Sequence, residues 1–192
     1  MQVFRGIPAR ATHSTVLTIG NFDGVHRGHR ALLAKLTGLA KQAGLPSAVM
    51  TFEPNPREFF APQSAPARLA SLREKLQLLA ECGVDQAYVC AFNRRFAALT
   101  AEAFVERIVN GLGVRHLMIG DDFRFGKGRS GDFALLQRAG AERGFGVEAM
   151  ARAWRIRSGY SSVHCMACMP PRLPPITAAQ ASMPSRSARR AC

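Results

Sequence analysis

The chain has 192 residues, of which 47% are hydrophobic and 20% charged, a composition that excludes a fully disordered chain. The length suits one α/β domain of roughly 150 residues with an appendage, so we do not expect a second full catalytic domain. The formal net charge is +13, but residues 151–192 hold seven arginines and no acidic residue. The remainder is moderately basic, which suits an anionic ligand such as a nucleotide better than nucleic acid.

Apolar runs alternate with segments of helical periodicity along the chain. The runs predict five strands, at residues 15–19, 47–52, 86–92, 116–119 and 146–150. The periodic segments predict four helices, at residues 30–40, 71–82, 101–110 and 132–143. The third helix is expected to end at Gly111. This alternation is typical of an α/β fold with a doubly wound parallel sheet, helices on both faces and ligands at the carboxyl ends of the strands.

The end of the chain breaks with this pattern. Five prolines between residues 170 and 184 preclude long helices and central strands. We therefore expect a domain over residues 1–150 and a largely disordered Arg- and Pro-rich tail over residues 151–192. The pair Cys165 and Cys168 is too weak a signal for a metal site, and we assign no metal ligands.

No segment resembles a secretory signal or a membrane span. Residues 1–8 lack a continuous apolar core, and no window approaches the ~18 apolar residues that a span needs. Five cysteines are an odd number in a chain too large to need disulfides, which favours reduced thiols. We expect a cytoplasmic protein whose partners are small molecules, with no membrane or nucleic acid. The sequence leaves the oligomeric state open.

The segment after the first predicted strand has the features of a phosphate-binding loop. Gly20 at a strand end lets a phosphate approach the backbone, and the next helix start offers free N–H groups. His26 and His29 are three residues apart, so they face the same side and can donate to phosphate oxygens. Taken singly, each histidine is better explained as a solvated residue at a helix start. Asp23 could cap the helix.

A second candidate site follows the fourth predicted strand. Phe123 and Phe125 alternate there with Asp122, Arg124 and Lys127 in a glycine-rich stretch. Aromatic faces can stack on an isoalloxazine or adenine ring, and nearby cations can bind phosphates. The alternative is a strand-to-helix loop whose phenylalanines close the end of the sheet.

Three short motifs occur at residues 20–29, 51–56 and 120–126. They resemble the Gly-x-Phe-Asp-Gly-x-His-x-Gly-His signature, the Thr-Phe-x-Pro-x-Pro turn and the Gly-x-Asp-Phe-x-Phe-Gly segment of the bacterial riboflavin kinase/FMN adenylyltransferase family. The ten-residue histidine signature is specific. The resemblance implies a Rossmann-like nucleotidylyltransferase fold and an FMN adenylyltransferase (FAD synthetase), which transfers AMP from ATP to FMN and releases FAD and pyrophosphate.

The resemblance also implies roles for individual residues. His26 and His29 would be catalytic by holding the outer phosphates of ATP, with Mg²⁺ accompanying the crowded phosphates. Asp23 could bind this Mg²⁺, but a role in capping the helix explains it at least as well. The implied ATP-binding residues are Gly20, Asn21, Phe22, Asp23, Gly24, His26, His29, Ser161 and Ser162. The implied FMN-binding residues are Phe52, Pro54, Pro56, Asp122, Phe123, Arg124, Phe125 and Gly126.

The tail departs from the family pattern. Ser161 and Ser162 could begin the family's Ser-Ser-Thr-x-x-Arg segment, but Val163 stands in place of the threonine. We interpret residues from about 163 onward as a shifted reading frame, and we expect the riboflavin kinase domain and its activity to be absent. Losing one phosphate donor costs about 2.7–4 kcal/mol of barrier. One alternative is therefore a catalytically impaired remnant that binds nucleotide or flavin. A second alternative is a related nucleotidylyltransferase with another phosphate acceptor.

Overall fold

The computed structural model of the chain describes residues 1–120 and 122–150. Its strands are β1 (Gln2–Arg5), β2 (Thr15–Ile19), β3 (Ser47–Glu53), β4 (Gln86–Ala91), β5 (Val114–Gly120) and β6 (Gly146–Met150). Its α-helices are α1 (Arg27–Ala43), α2 (Pro56–Phe60), α3 (Leu72–Glu81), α4 (Arg94–Ala97), α5 (Ala101–Leu112) and α6 (Phe133–Arg143). The predicted tail lies outside the described residues.

The six strands form one parallel sheet in the order β1-β4-β3-β2-β5-β6. β2 lies inside the sheet, with β3 on one side and β5 on the other. The direction of winding reverses between these neighbours, and ligands of open parallel sheets bind beside such a switch point. The predicted doubly wound α/β fold is confirmed, and the structure places the carboxyl end of β2 where a ligand is expected.

Apolar side chains cover both faces of the sheet. Leu17 and Ile19 of β2 belong to the cluster that contains residues of α5 and α6. Val16 points to the opposite face, where it joins residues of α1 and α3. All five residues of β2 are buried because helices cover the sheet on both sides. None of the helices in the described part of the chain has the length and apolar character needed to cross a bilayer.

All five predicted strands and all four predicted helices form, but one short strand, two short α-helices and a 3₁₀ helix at Lys127–Arg129 were missed. β1 is an edge strand with three of its four residues exposed, so its sequence has no buried apolar run. α2 and α4 contain five and four residues, which is too short for helical periodicity to show. The missed elements therefore lack the signal on which the prediction depends.

The predicted end of α5 at Gly111 is wrong. The helix continues to Leu112, and Gly113 caps it in a left-handed conformation with a φ of 59°. Gly111 is required for a different reason, because the N-terminal segment crosses α5 there. A Cβ at this position would lie 2.4 Å from both the Pro8 carbonyl oxygen and the Cγ2 of Ile7.

We expect Gly111→Ala to lower the free energy of unfolding by about 1–3 kcal/mol, because the added methyl group overpacks against backbone. Gly38 of α1 offers a matched control, since an added Cβ there meets no atom within 4 Å. Gly38→Ala should raise the free energy of unfolding by about 0.5–1 kcal/mol through helix propensity. Urea unfolding measures both changes, and effects of the same sign would contradict this explanation.

Candidate functional site

Two buried side chains shape the loop between β2 and α1. Phe22 and Val25 are 1% and 2% exposed and pack in the apolar cluster beneath α1. Their φ angles are 49° and 33°, a region that residues with a β-carbon seldom adopt. Burial of the two side chains therefore holds the loop in this conformation. Phe22 supports the loop from beneath, and its predicted contact with nucleotide stays a prediction.

The same loop is fixed to strand β3. The N–H of Gly20 donates to the carbonyl oxygen of Met50 at 3.0 Å, and the hydroxyl of Thr51 donates to the carbonyl oxygen of Asn21 at 3.1 Å. Gly20 also leaves room for the aromatic ring below, because a Cβ there would lie 3.1 Å from Cε2 of Phe22. The loop thus has a defined shape before any ligand binds.

His26 and His29 stack on each other at the start of α1. Their ring centroids are 3.7 Å apart and their planes differ by 18°. The backbone N–H of His29 donates to Nδ1 of His26 at 3.4 Å, which makes His26 the N-cap of the helix. The prediction that both side chains face the same side is confirmed. Capping by Asp23 is wrong, because His26 occupies the cap position.

His29 is a desolvated imidazole with an unused nitrogen. Burial, followed by the charge of His26, lowers its pKa from 6.5 to about 4, and Asp23 opposes this shift. The ring is therefore neutral at neutral pH. Its Nδ1 is buried and has no hydrogen-bond partner among the described residues. An unpaired buried polar atom is costly, and because solvent does not reach this nitrogen, a phosphate oxygen could accept its hydrogen bond only after the ring moves.

The lowered pKa of His29 predicts a loss of stability in acid. Between about pH 4 and pH 6.5 the unfolded chain binds more protons at this ring than the folded chain does. The free energy of unfolding should therefore fall as the pH decreases through this range, with the contribution complete above it. Urea unfolding at a series of pH values measures the effect. His29→Gln should show a shallower decline, and equal declines would contradict the shift.

A cavity of about 770 Å³ opens at the carboxyl ends of β3, β4 and β5, within the size range of small-molecule sites. Parallel strands all end on the same side of the sheet. The cavity therefore lies on the same side as the loop between β2 and α1, which we call the histidine loop (residues 20–26). The cavity wall includes six residues of the predicted FMN set: Phe52, Pro56, Phe123, Arg124, Phe125 and Gly126. Pro54 and Asp122 are not part of this wall, and Ser161 and Ser162 lie outside the described residues.

Phenylalanines from separate segments form the apolar side of the cavity. Phe52 contacts Phe92 and Phe96 edge to face, with centroids 5.7 and 5.5 Å apart. Phe125 lies 5.1 Å from Phe104 and 5.7 Å from Phe123. Phe125 is only 6% exposed and belongs to the core, so this residue does close the end of the sheet. Phe123, Arg124 and Lys127 of the second predicted site line the cavity as well.

Sequence reasoning missed several residues of this wall. Its missed aromatic members are Phe60, Phe92, Phe96 and Phe104, and its missed cationic members are Arg57 and Arg129, whereas Lys127 is among the predicted cations of the second candidate site. The available signal was weak: phenylalanines follow the ends of several predicted elements. Only the sheet topology brings these ends together.

The strand order and the loop at the switch point define a Rossmann-like nucleotidylyltransferase fold. A solved structure described as a macrolide-efflux protein from Streptococcus pneumoniae shares this fold. It matches with a TM-score of 0.67 and 23% identity, over 79% of this chain and 52% of that chain.

The chain belongs to the FAD synthetase family, whose family model matches residues 9–162. It is 56% identical over 151 residues to the bifunctional riboflavin kinase/FMN adenylyltransferase of Escherichia coli strain K12. The proteins with the same description from Pseudomonas fluorescens and Haemophilus influenzae are 55% and 48% identical. These alignments cover 77–78% of this chain and 48–49% of each relative. The chain thus spans about half the length of these relatives, and the family resemblance is confirmed.

Proposed function

We propose that this chain is an FMN adenylyltransferase that transfers AMP from ATP to FMN and yields FAD and pyrophosphate. The stacked pair of His26 and His29 carries the proposal. This pair lies beside a glycine loop at a helix N-terminus, where backbone N–H groups and the helix dipole favour phosphate. The activity named for the bacterial relatives supports the same assignment.

In the proposed reaction, a phosphate oxygen of FMN forms a bond to the α-phosphorus of ATP. The bond from that phosphorus to the bridging oxygen breaks, and pyrophosphate leaves with the electron pair. Hydrogen bonds from His26 and His29 to the outer phosphates would strengthen as charge develops on the leaving group, which lowers the barrier without a covalent intermediate. A phosphate dianion is already a nucleophile, so we assign no general base.

Mg²⁺ belongs to this proposal as a neutralising cation for the phosphates. Within residues 1–120 and 122–150, no three His, Cys, Asp or Glu side chains form a metal-binding group. Mg²⁺ commonly binds through substrate phosphates and water with few protein ligands. We therefore propose that the phosphates of ATP supply most of its oxygen ligands.

We propose that the aromatic cavity binds FMN. Its volume and its phenylalanine wall suit a flat ring system. Arg57, Arg124, Lys127 and Arg129 contribute to the same wall and could bind the FMN phosphate. The predicted FMN contacts of Pro54 and Asp122 remain predictions. The cavity opens at the same edge of the sheet as the histidine loop, as a transfer between the two bound substrates requires.

The test is to incubate the purified full chain with FMN, ATP and MgCl₂ and to separate the products chromatographically. We expect FAD and pyrophosphate in equal amounts, and no FAD when α,β-methylene-ATP replaces ATP. Binding of both substrates without FAD would instead support a remnant that only binds them. AMP transfer to a different phosphate acceptor would support another nucleotidylyltransferase.

A further inference from the structure

Residues 61–70, which we call the strap, connect α2 to α3 and form one side of the aromatic cavity. Ala61, Ser64, Ala65 and Pro66 contribute to the cavity wall. The strap contains turns but no helix or strand. At its N-terminal end the N–H of Ala61 donates to the carbonyl oxygen of Arg57 in α2, and side-chain contacts hold its C-terminal end.

Asp23 of the histidine loop holds this end of the strap. Its Oδ1 accepts hydrogen bonds from the backbone N–H groups of Leu69 and Ala70, at 3.0 and 3.1 Å. Its Oδ2 lies 3.2 Å from the N–H of Leu69. The side chain of Leu69 also lies over Gly24, where an added Cβ would be 3.1 Å from Cβ of Leu69. The carboxylate is thus engaged by the strap rather than by the α1 helix start.

Charged side chains hold the strap from its other side. Arg68 makes two hydrogen bonds of 2.6 Å to the carboxylate of Glu58 and an ion pair of 2.7 Å with Glu53. Lys75 of α3 is only 5% exposed. Burial lowers the pKa of Lys75, while Glu53 and Asp23 oppose that shift. The ion pairs of Arg68 are partly exposed and screened by solvent, whereas the bonds of Asp23 to backbone N–H groups are charge-assisted.

We infer that Asp23, although it lies on the loop proposed to bind ATP, is a positioning residue for the flavin site. By holding Leu69 and Ala70, Asp23 keeps the strap against the aromatic cavity. The loop proposed to bind ATP thus shapes the pocket proposed to bind FMN. This inference rests on the proposed function for the identity of the flavin ligand. Since binding free energies are reciprocal, FMN bound under the strap would in turn stabilise the loop for nucleotide.

The test measures FMN binding to the full chain by flavin fluorescence, without ATP or Mg²⁺. Asp23→Ala should raise the Kd for FMN by about tenfold, since it removes the charge-assisted bonds. Asp23→Asn keeps an oxygen that can accept from both N–H groups and should restore most of the affinity. Glu81→Ala is the matched control, because Glu81 is an exposed carboxylate at the opposite end of α3. It should bind FMN as the unmodified chain does.

Hydrogen exchange and a second variant separate positioning from loss of folding. The amide hydrogens of Leu69 and Ala70 should exchange faster in Asp23→Ala than in Asp23→Asn, while those of β2 stay protected. Arg68→Gln loosens the strap without altering the histidine loop and should raise the Kd for FMN by about threefold. Unchanged FMN affinity in both Asp23→Ala and Arg68→Gln would overturn the inference. Absence of FAD from the unmodified chain would contradict the proposed function instead.

Discussion

We expect His29→Ala to lower the kcat of FAD formation by about 10²–10³-fold, the usual effect of removing one donor that stabilises transition-state charge. The imidazole is already desolvated and neutral, and its Nδ1 has no partner within the described residues. The loss should fall mainly on kcat, because the charge on the departing pyrophosphate develops during the reaction.

Steady-state kinetics with saturating FMN and ATP test this expectation. His26→Ala should also lower kcat, since the two rings stack and His26 caps the helix that presents His29. His116→Gln is the control histidine substitution, because His116 lies near the start of β5, at the opposite edge of the sheet. A kcat of His29→Ala within threefold of the unmodified chain, with normal folding, would contradict the proposed role.

We expect Phe125→Ala to lower the free energy of unfolding by about 3–5 kcal/mol, as for other buried phenylalanines replaced by alanine. Phe125 is a buried member of the core and packs on both Phe104 and Phe123. Removing its ring would leave a hole where the loop after β5 joins the core. Chemical unfolding followed by circular dichroism measures the change.

Phe60→Ala is the matched comparison, because Phe60 lines the same cavity but is 68% exposed. Its replacement should change the free energy of unfolding by less than about 0.5 kcal/mol. It should raise the Kd for FMN by about two- to tenfold if the ring contacts the flavin. The two variants thus separate an aromatic residue that supports the fold from one that contacts ligand. Equal losses of stability would contradict this distinction.

The framework of the fold could be predicted because its signals are local. β2 and β3 are buried on both faces, and their sequences are short runs of apolar residues interrupted only by Ser or Thr before the terminal Glu53. The predicted boundaries of β2 and β6 agree with the structure. Gly111 misled the prediction because a helix end and a close backbone approach require the same residue type. Only the position of Pro8, more than 100 residues earlier, distinguishes the two causes.

The histidine pair of the candidate site could also be predicted from local sequence. The three-residue spacing of His26 and His29 was enough to place both rings on one side. The contact of Asp23 with Leu69 and Ala70 joins residues 46 and 47 positions apart, and no sequence period reports it. The wall of the cavity likewise depends on strand order, which brings Phe52, Phe92 and Phe123 together. The residues of the site that the sequence did not reveal lie in segments without helical or strand periodicity.

The interior place of β2 has a consequence for how the protein is made. β2 can pair with β3 once both have been synthesised. The other edge of β2 stays unpaired until β5 is made, because Val114 of β5 pairs with Thr15. A growing chain can therefore assemble the histidine loop on β2, α1 and β3 while the unpaired edge of β2 is still open to other chains. The ribosome must add the residues of β5 before that edge is protected, and the aromatic wall is completed only by the residues that follow β5.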